Sequence, residues 1–166
     1  MVEVKIENIR DAIKVFEEAL EPAIRKLDQQ NLVKVERLTT LDGYKLKEPR
    51  GAIGLLYGGS TYESNSKGRS LLMKRIMLIN VAPIIRFIDN PLQPTEKYNV
   101  MMPAEYVDFV IDALSGIEVF NHLPEYERKV YPVRDELVEE QDFVWKYLVT
   151  MAVPVDFTET KLKANN

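Results

Sequence analysis

The sequence predicts an α+β domain, a mixed or mostly antiparallel sheet with an N-terminal helix and a second helix packed on one face. Three observations carry this. Phe143, Trp145, Tyr147, Val149, Met151, Val153, Val155 and Phe157 fall on every second position, the period of a half-buried strand. Ile6, Ile9, Ile13, Phe16, Leu20, Ile24 and Leu27 recur at spacings of three and four, the stripe of an amphipathic helix. Tyr106, Val107, Val110, Ile111 and Leu114 make a second such stripe. One-sided helices and alternating strands bury their apolar faces by stacking in layers.

The elements follow in order. Pro22 lies inside the first stripe. Its ring removes an amide donor and crowds the preceding turn, which predicts a kink or break near Leu20. Val33, Val35 and Leu38 suit a short strand, and Asp42-Gly43 signals a turn. Residues 51–57 are small and apolar and read as a buried strand. Residues 58–70 are rich in Gly, Ser, Asn and Lys and read as a mobile loop. Residues 71–88 read as a long strand, in which Pro83 implies an edge or a bulge. Together these segments predict a hairpin with an extended tip.

A polar loop over 89–102, with Pro91 and Pro94, leads to Pro103. Proline suits a helix's first turn. Gly116 ends the helix over 105–115. Short strands are expected over 117–120 and 129–138. Glu139-Glu140-Gln141-Asp142 reads as a solvated turn into the aromatic strand. Trp145 is expected in or beside the main core.

With 166 residues, the chain fits one domain over 1–166, with a polar tail from about Thr158. A chain of this length buries about two-thirds of its unfolded surface. It has no cysteine, which excludes disulfides, thiol catalysis and cysteine-held metals. Its net charge of -4 disfavours a broad phosphate-binding surface. The N-terminus carries acids early and shows no apolar signal core. The longest apolar run, 76–88, is broken by Asn80, Pro83 and Arg86 and is too short to span a bilayer. No membrane partner is expected.

Residues with reactive side chains do not gather into a recognisable centre. His122 is the sole histidine, and neither Ser60 nor Ser115 sits in a Gly-x-Ser-x-Gly elbow. Gly58-Gly59-Ser60 lacks the following lysine and helix of a phosphate loop. The carboxylates Glu118, Glu125, Glu127, Asp135, Glu136, Glu139, Glu140 and Asp142 crowd the later turns, where they solvate the surface. Lys67, Arg69, Lys74 and Arg75, with Tyr57 and Tyr62 nearby, fit either nucleic acid or an acidic protein surface, including another copy of the chain. No cofactor, metal or catalytic residue is expected.

The segment order carries a resemblance. Arg50-Gly-Ala-Ile-Gly-Leu-Leu-Tyr-Gly-Gly-Ser precedes a long strand. The short helix closing at Ser115-Gly116 follows, then Tyr131-Pro-Val-Arg-Asp-Glu-Leu and Phe143-Val-Trp-Lys-Tyr-Leu-Val-Thr. Over roughly 5–158 this resembles the Mu-like phage and prophage tail-protein family. That family is similar in turn to the tail-terminator and head–tail-joining proteins of long-tailed phages. The long 31–48 stretch and the 89–102 insertion depart from its compact pattern.

The resemblance implies a structural protein rather than an enzyme, assembled in the host cytoplasm and located in the virion tail. Its implied partners are other copies of itself in a ring, commonly a hexamer, and the tail-tube and head–tail connector proteins. Contact with DNA would be transient. Tyr62, Lys67 and Arg69 are the candidate subunit contacts. Tyr62 serves as an apolar anchor, and Arg69 offers a planar fork for a carboxylate. A connector or tail-completion protein is a neighbouring reading. The alternative of another class is a small α/β enzyme or ligand-binding domain.

Overall fold

The computed structural model describes residues 3–27, 32–64, 72–87, 101–121 and 123–158. Among these, five strands form one sheet, flanked by two α-helices. The order along the chain is α1 (Ile9–Leu27), β1 (Val33–Arg37), β2 (Gly51–Ser64), β3 (Leu72–Arg86), α2 (Glu105–Leu114), β4 (Tyr131–Gln141) and β5 (Val144–Thr158). A single 3-10 turn, Glu125–Glu127, precedes β4.

The sheet order is β1-β2-β3-β5-β4. Only the β1–β2 pair is parallel, so the sheet is mixed and mostly antiparallel. β3 is the central strand. Pro83 therefore lies in an interior strand and not at an edge. It pairs with Ile53 in the β2 register. On the β5 side the ladder lapses between Val81 and Ile84 and resumes without a register shift. An absent amide is tolerated where the ladder has a gap.

α1 starts where Asn8 Oδ1 accepts the Asp11 amide at 2.9 Å. Asp11 Oδ2 accepts the Glu7 amide at 3.0 Å, so both sides of the helix start are capped by side chains. The helix continues through Pro22 to Leu27. Pro22 sits on the exposed side, where its ring meets solvent rather than the packed core. Ala12, Phe16, Leu20 and Ile24 face inward. Ile6 is buried too, but it precedes the helix.

α1 and α2 pack on one face of the sheet. Phe16, Leu20, Val107, Val110 and Leu114 join Ile53, Leu55, Met77, Ile79, Val149, Met151 and Val153 in the main core. The far face is covered as well. Leu38, Leu41, Tyr44 and Leu46 lie against Leu56, Ala82, Ile84, Val144 and Leu148. Gly54 makes this possible, because a Cβ there would collide with the Leu38 side chain.

Three sequence expectations change in extent. Residues 58–64 form strand rather than loop, so β2 runs on to Ser64. Glu139, Glu140 and Gln141 belong to β4, and the turn is Asp142–Phe143. Residues 117–120 contribute only isolated bridges, Val4 to Val119 and Glu118 to Lys129. Trp145 pairs with Ile85 but is only half-buried and stands outside both core clusters. No helix among the described residues is long and apolar enough to cross a membrane.

Candidate functional site

Two hairpin arms lie at opposite ends of the sheet, each flanked by a third strand, since β3 and β5 pair from Leu72–Thr158 to Arg86–Val144. In an antiparallel ladder, directly paired residues share a face. Tyr57, Ser60, Tyr62 and Arg75 pair with Ile79, Met77, Arg75 and Tyr62 in the β2–β3 register. Since Ile79 and Met77 belong to the main core, all four lie on the helix-covered face.

Arg75 organises this first arm. Its Nε donates to Ser60 Oγ at 3.1 Å and its Nη2 to the Tyr57 hydroxyl at 3.4 Å. The Tyr57 and Ser60 hydroxyls lie 2.7 Å apart. The guanidinium carbon stands 5.9 Å from the Tyr62 ring centroid, at the outer limit for a cation–π contact. Burial raises the Tyr57 pKa, but the hydrogen bonds from Ser60 and Arg75 and the Arg75 charge outweigh it and hold the phenol below its ordinary value. Tyr62 remains 51% exposed.

A bulge makes the arrangement possible. The β2–β3 register shifts between Tyr57 and Ser60, and Gly59 takes a φ of +100°. The extra residue brings Ser60 back to the face that carries Tyr57. A Cβ on Gly58 would stand 2.8 Å from the Asn80 side-chain nitrogen. Asn80 in turn accepts a hydrogen bond from Thr150 Oγ1 at 3.0 Å, so the bulge rests on a tied polar pair.

Among the expected contact residues, Tyr62 stands on this arm, while Lys67 and Arg69 lie outside the described residues. His122 lies outside them too. The two described members of the expected basic cluster divide across the sheet. Lys74 pairs with Glu63 and Asp156, whereas Arg75 pairs with Tyr62 and Val155. Its neighbour in sequence therefore faces the other way. The organising role of Arg75 depends on the Tyr62–Arg75 register, which residue types alone do not specify.

The second arm is β4 with the start of β5. Every residue of β4 is exposed. Leu137 pairs with Tyr147 and Glu140 with Trp145, on the helix-covered face. Asp142 and Phe143 take φ values of 53° and 64°, a two-residue turn in the left-handed region. The Phe87 amide donates to the Phe143 carbonyl at 2.9 Å, while the Phe143 residue is 63% exposed.

Between this arm and the 38–50 segment lies an open cleft of about 520 Å³, lined in part by Asp42, Tyr44, Lys45, Glu139 and Lys146. Lys146 is 9% exposed. Its Nζ donates to the Tyr44 carbonyl and to Glu139 Oε2, both at 3.0 Å. The Tyr44 hydroxyl donates to Glu36 Oε2 at 2.6 Å. These bonds fasten the segment over the far face. Among the described residues, no three His, Cys, Asp or Glu side chains gather to hold a metal.

The model of a phage-associated family described as Gp37 protein matches residues 32–165. The match takes in all five strands and α2 and leaves α1 outside. No curated protein matches the sequence.

Proposed function

From the premise that the chain belongs to the Gp37 protein family, we propose that it is a structural tail-assembly protein of a phage or prophage. In this reading it is a tail terminator: copies associate as a ring on the tail tube, stop its growth and present the surface to which the head joins. One observation carries the reading. The two hairpins of the sheet expose Tyr57, Tyr62, Leu137, Val138 and Phe143 beside charged side chains. Tyrosine, phenylalanine and arginine are enriched at protein interfaces.

Arg75 holds Tyr57 and Tyr62 in place before any partner arrives, which reduces the entropy lost on association. Tyr62 is the contact anchor. Lys67 and Arg69 remain sequence candidates for pairing with carboxylates.

The experiment is complementation in a phage lacking this protein. Heads joined to tails of uniform length are expected with the full chain. Unjoined tails of irregular length are expected without it. The Tyr62→Ala variant should fold, as checked by circular dichroism, but restore joining poorly. Normal, joined tails in the complete absence of the protein would overturn the assignment. Light scattering of the purified chain, alone and with tail tubes, measures ring formation directly.

A further inference from the structure

The hydrogen bonds around Arg75 leave donors unspent. A guanidinium carries five N–H donors and no acceptor. Nε and Nη2 of Arg75 donate to Ser60 Oγ and to the Tyr57 hydroxyl, which occupies the side edge of the group. The end edge, where Nη1 and Nη2 present parallel N–H groups, meets no acceptor among the described residues. Both hydroxyl oxygens already accept from Arg75, and the two share one further bond at 2.7 Å. That bond uses one hydroxyl proton. The other hydroxyl proton has no acceptor among the described residues.

No carboxylate neutralises this side. At this end of the sheet Glu63 and Asp156 both pair with Lys74. Paired residues share a face, so these acids lie with Lys74 on the face opposite Arg75. The end as a whole is therefore balanced in charge, and what distinguishes the Arg75 face is directed donors. None of the ion pairs among the described residues involves Arg75. Burial works against a Tyr57 phenolate, yet the bonds from Ser60 and Arg75 and the Arg75 charge hold its pKa below the ordinary value. The cluster already favours a negative charge.

We propose that Arg75, Tyr57 and Ser60 form a receiving site for a carboxylate, supplied by an Asp or Glu side chain of a protein partner. The proposal rests on the assembly reading above and names the chemical group that the Tyr62 face recognises. The free end edge gives a carboxylate two parallel, charge-assisted hydrogen bonds. Ser60 and Tyr57 hold the guanidinium by its side edge, and the Tyr62 ring borders it at 5.9 Å. The donor is ordered before the partner arrives, which lowers the entropy lost on binding. A phosphate also fits the fork, but nucleic acid gains its affinity when several cations neutralise several phosphates. Here the other described cation of this end, Lys74, faces away beside two acids, and the chain's net charge is -4. A single directed cation suits a single carboxylate.

Acetate probes the site itself. In the full, isotopically labelled chain, acetate added at constant ionic strength should shift the Arg75 Nε–H signal and the Gly59 and Ser60 amide signals saturably. Arg75→Gln should remove the amide shifts. Ser60→Ala with Tyr57→Phe, which releases the side edge, should weaken the response several-fold. Saturable shifts with inorganic phosphate and none with acetate would overturn the carboxylate in favour of a phosphoryl ligand. Amide shifts that persist unchanged in Arg75→Gln would overturn the site.

Phage complementation supplies the second measurement. Arg75→Gln and Arg75→Lys should both fold, as checked by circular dichroism, and restore head–tail joining poorly, since lysine keeps the charge but not the planar fork. Suppressors that restore joining to Arg75→Glu should replace an Asp or Glu of a protein partner with Lys or Arg. Joining restored in full by Arg75→Gln would overturn the proposal and leave the assembly reading standing. Normal, joined tails in the absence of the protein would overturn that reading, and the acetate response does not depend on it.

Discussion

At the residue scale, two tyrosines are displaced in opposite directions. Burial raises the Tyr44 pKa first, and its hydrogen bond to Glu36 and the Glu36 and Glu48 charges add to the rise. The fold therefore favours the neutral phenol. Its contribution is fully present below the ordinary tyrosine value of about 10. It is lost as pH rises through the elevated folded value. Tyr57 is lowered, so its contribution appears only in alkali. Tyr44→Phe is expected to cost about 1 kcal/mol near neutral pH, through the lost bond to Glu36. It should also remove the part of the alkaline stability loss that begins near the ordinary tyrosine pKa. Urea unfolding across a pH series measures both effects.

Residue burial also ranks the large side chains. Phe16 is fully buried, and Phe16→Ala is expected to cost about 3–5 kcal/mol. Trp145 is only half-buried and stands outside the core clusters. Trp145→Ala should cost clearly less than Phe16→Ala in the same denaturant series. Equal losses would place Trp145 energetically within the core.

At the element scale, the β4–β5 turn carries a backbone cost. Two consecutive non-glycine residues, Asp142 and Phe143, sit at positive φ, and such residues cost on the order of 1–3 kcal/mol each. Asn-Gly is the preferred pair for this turn shape. Asp142→Asn with Phe143→Gly is therefore expected to raise the melting temperature of the isolated protein. If the exposed Phe143 ring serves association, the same variant should assemble less well. Calorimetry and light scattering on one preparation separate the two effects. Pro22 shows the milder case of an irregularity within an element. It lies inside a helix that continues past it, on the exposed side.

At the scale of the whole molecule, the sheet is covered on both faces by unlike means. The helices cover one face, and the irregular 38–50 segment, fastened by Lys146 and Glu36, covers part of the other. α1 lies outside the family match, yet Phe16 and Leu20 belong to the same core as Ile53 and Leu55. Removing residues 1–31 would expose that apolar face to water. The shortened chain is expected to lose its cooperative thermal transition and to bind a hydrophobic dye. A sharp transition like that of the full chain would show that α1 is dispensable to the fold.

The sequence by itself determined the elements whose periodicity is strong. The aromatic alternation from Val144 onward, the α1 stripe and the 105–114 helix all fall where side-chain spacing places them. Spacing suffices there because the faces of a helix or strand follow from local geometry. Tertiary structure decided what spacing does not encode. The polar residues 58–64 became strand because β3 supplied partners for their backbone. Trp145 is only half-buried although its strand partner Ile85 belongs to the core, a difference that spacing along β5 does not encode. Tyr62 was legible as an exposed aromatic, but Arg75 became its organiser only through cross-strand register. The placement of the β2–β3 and β4–β5 hairpins at opposite ends of one sheet is a consequence of strand order, which no local pattern specifies.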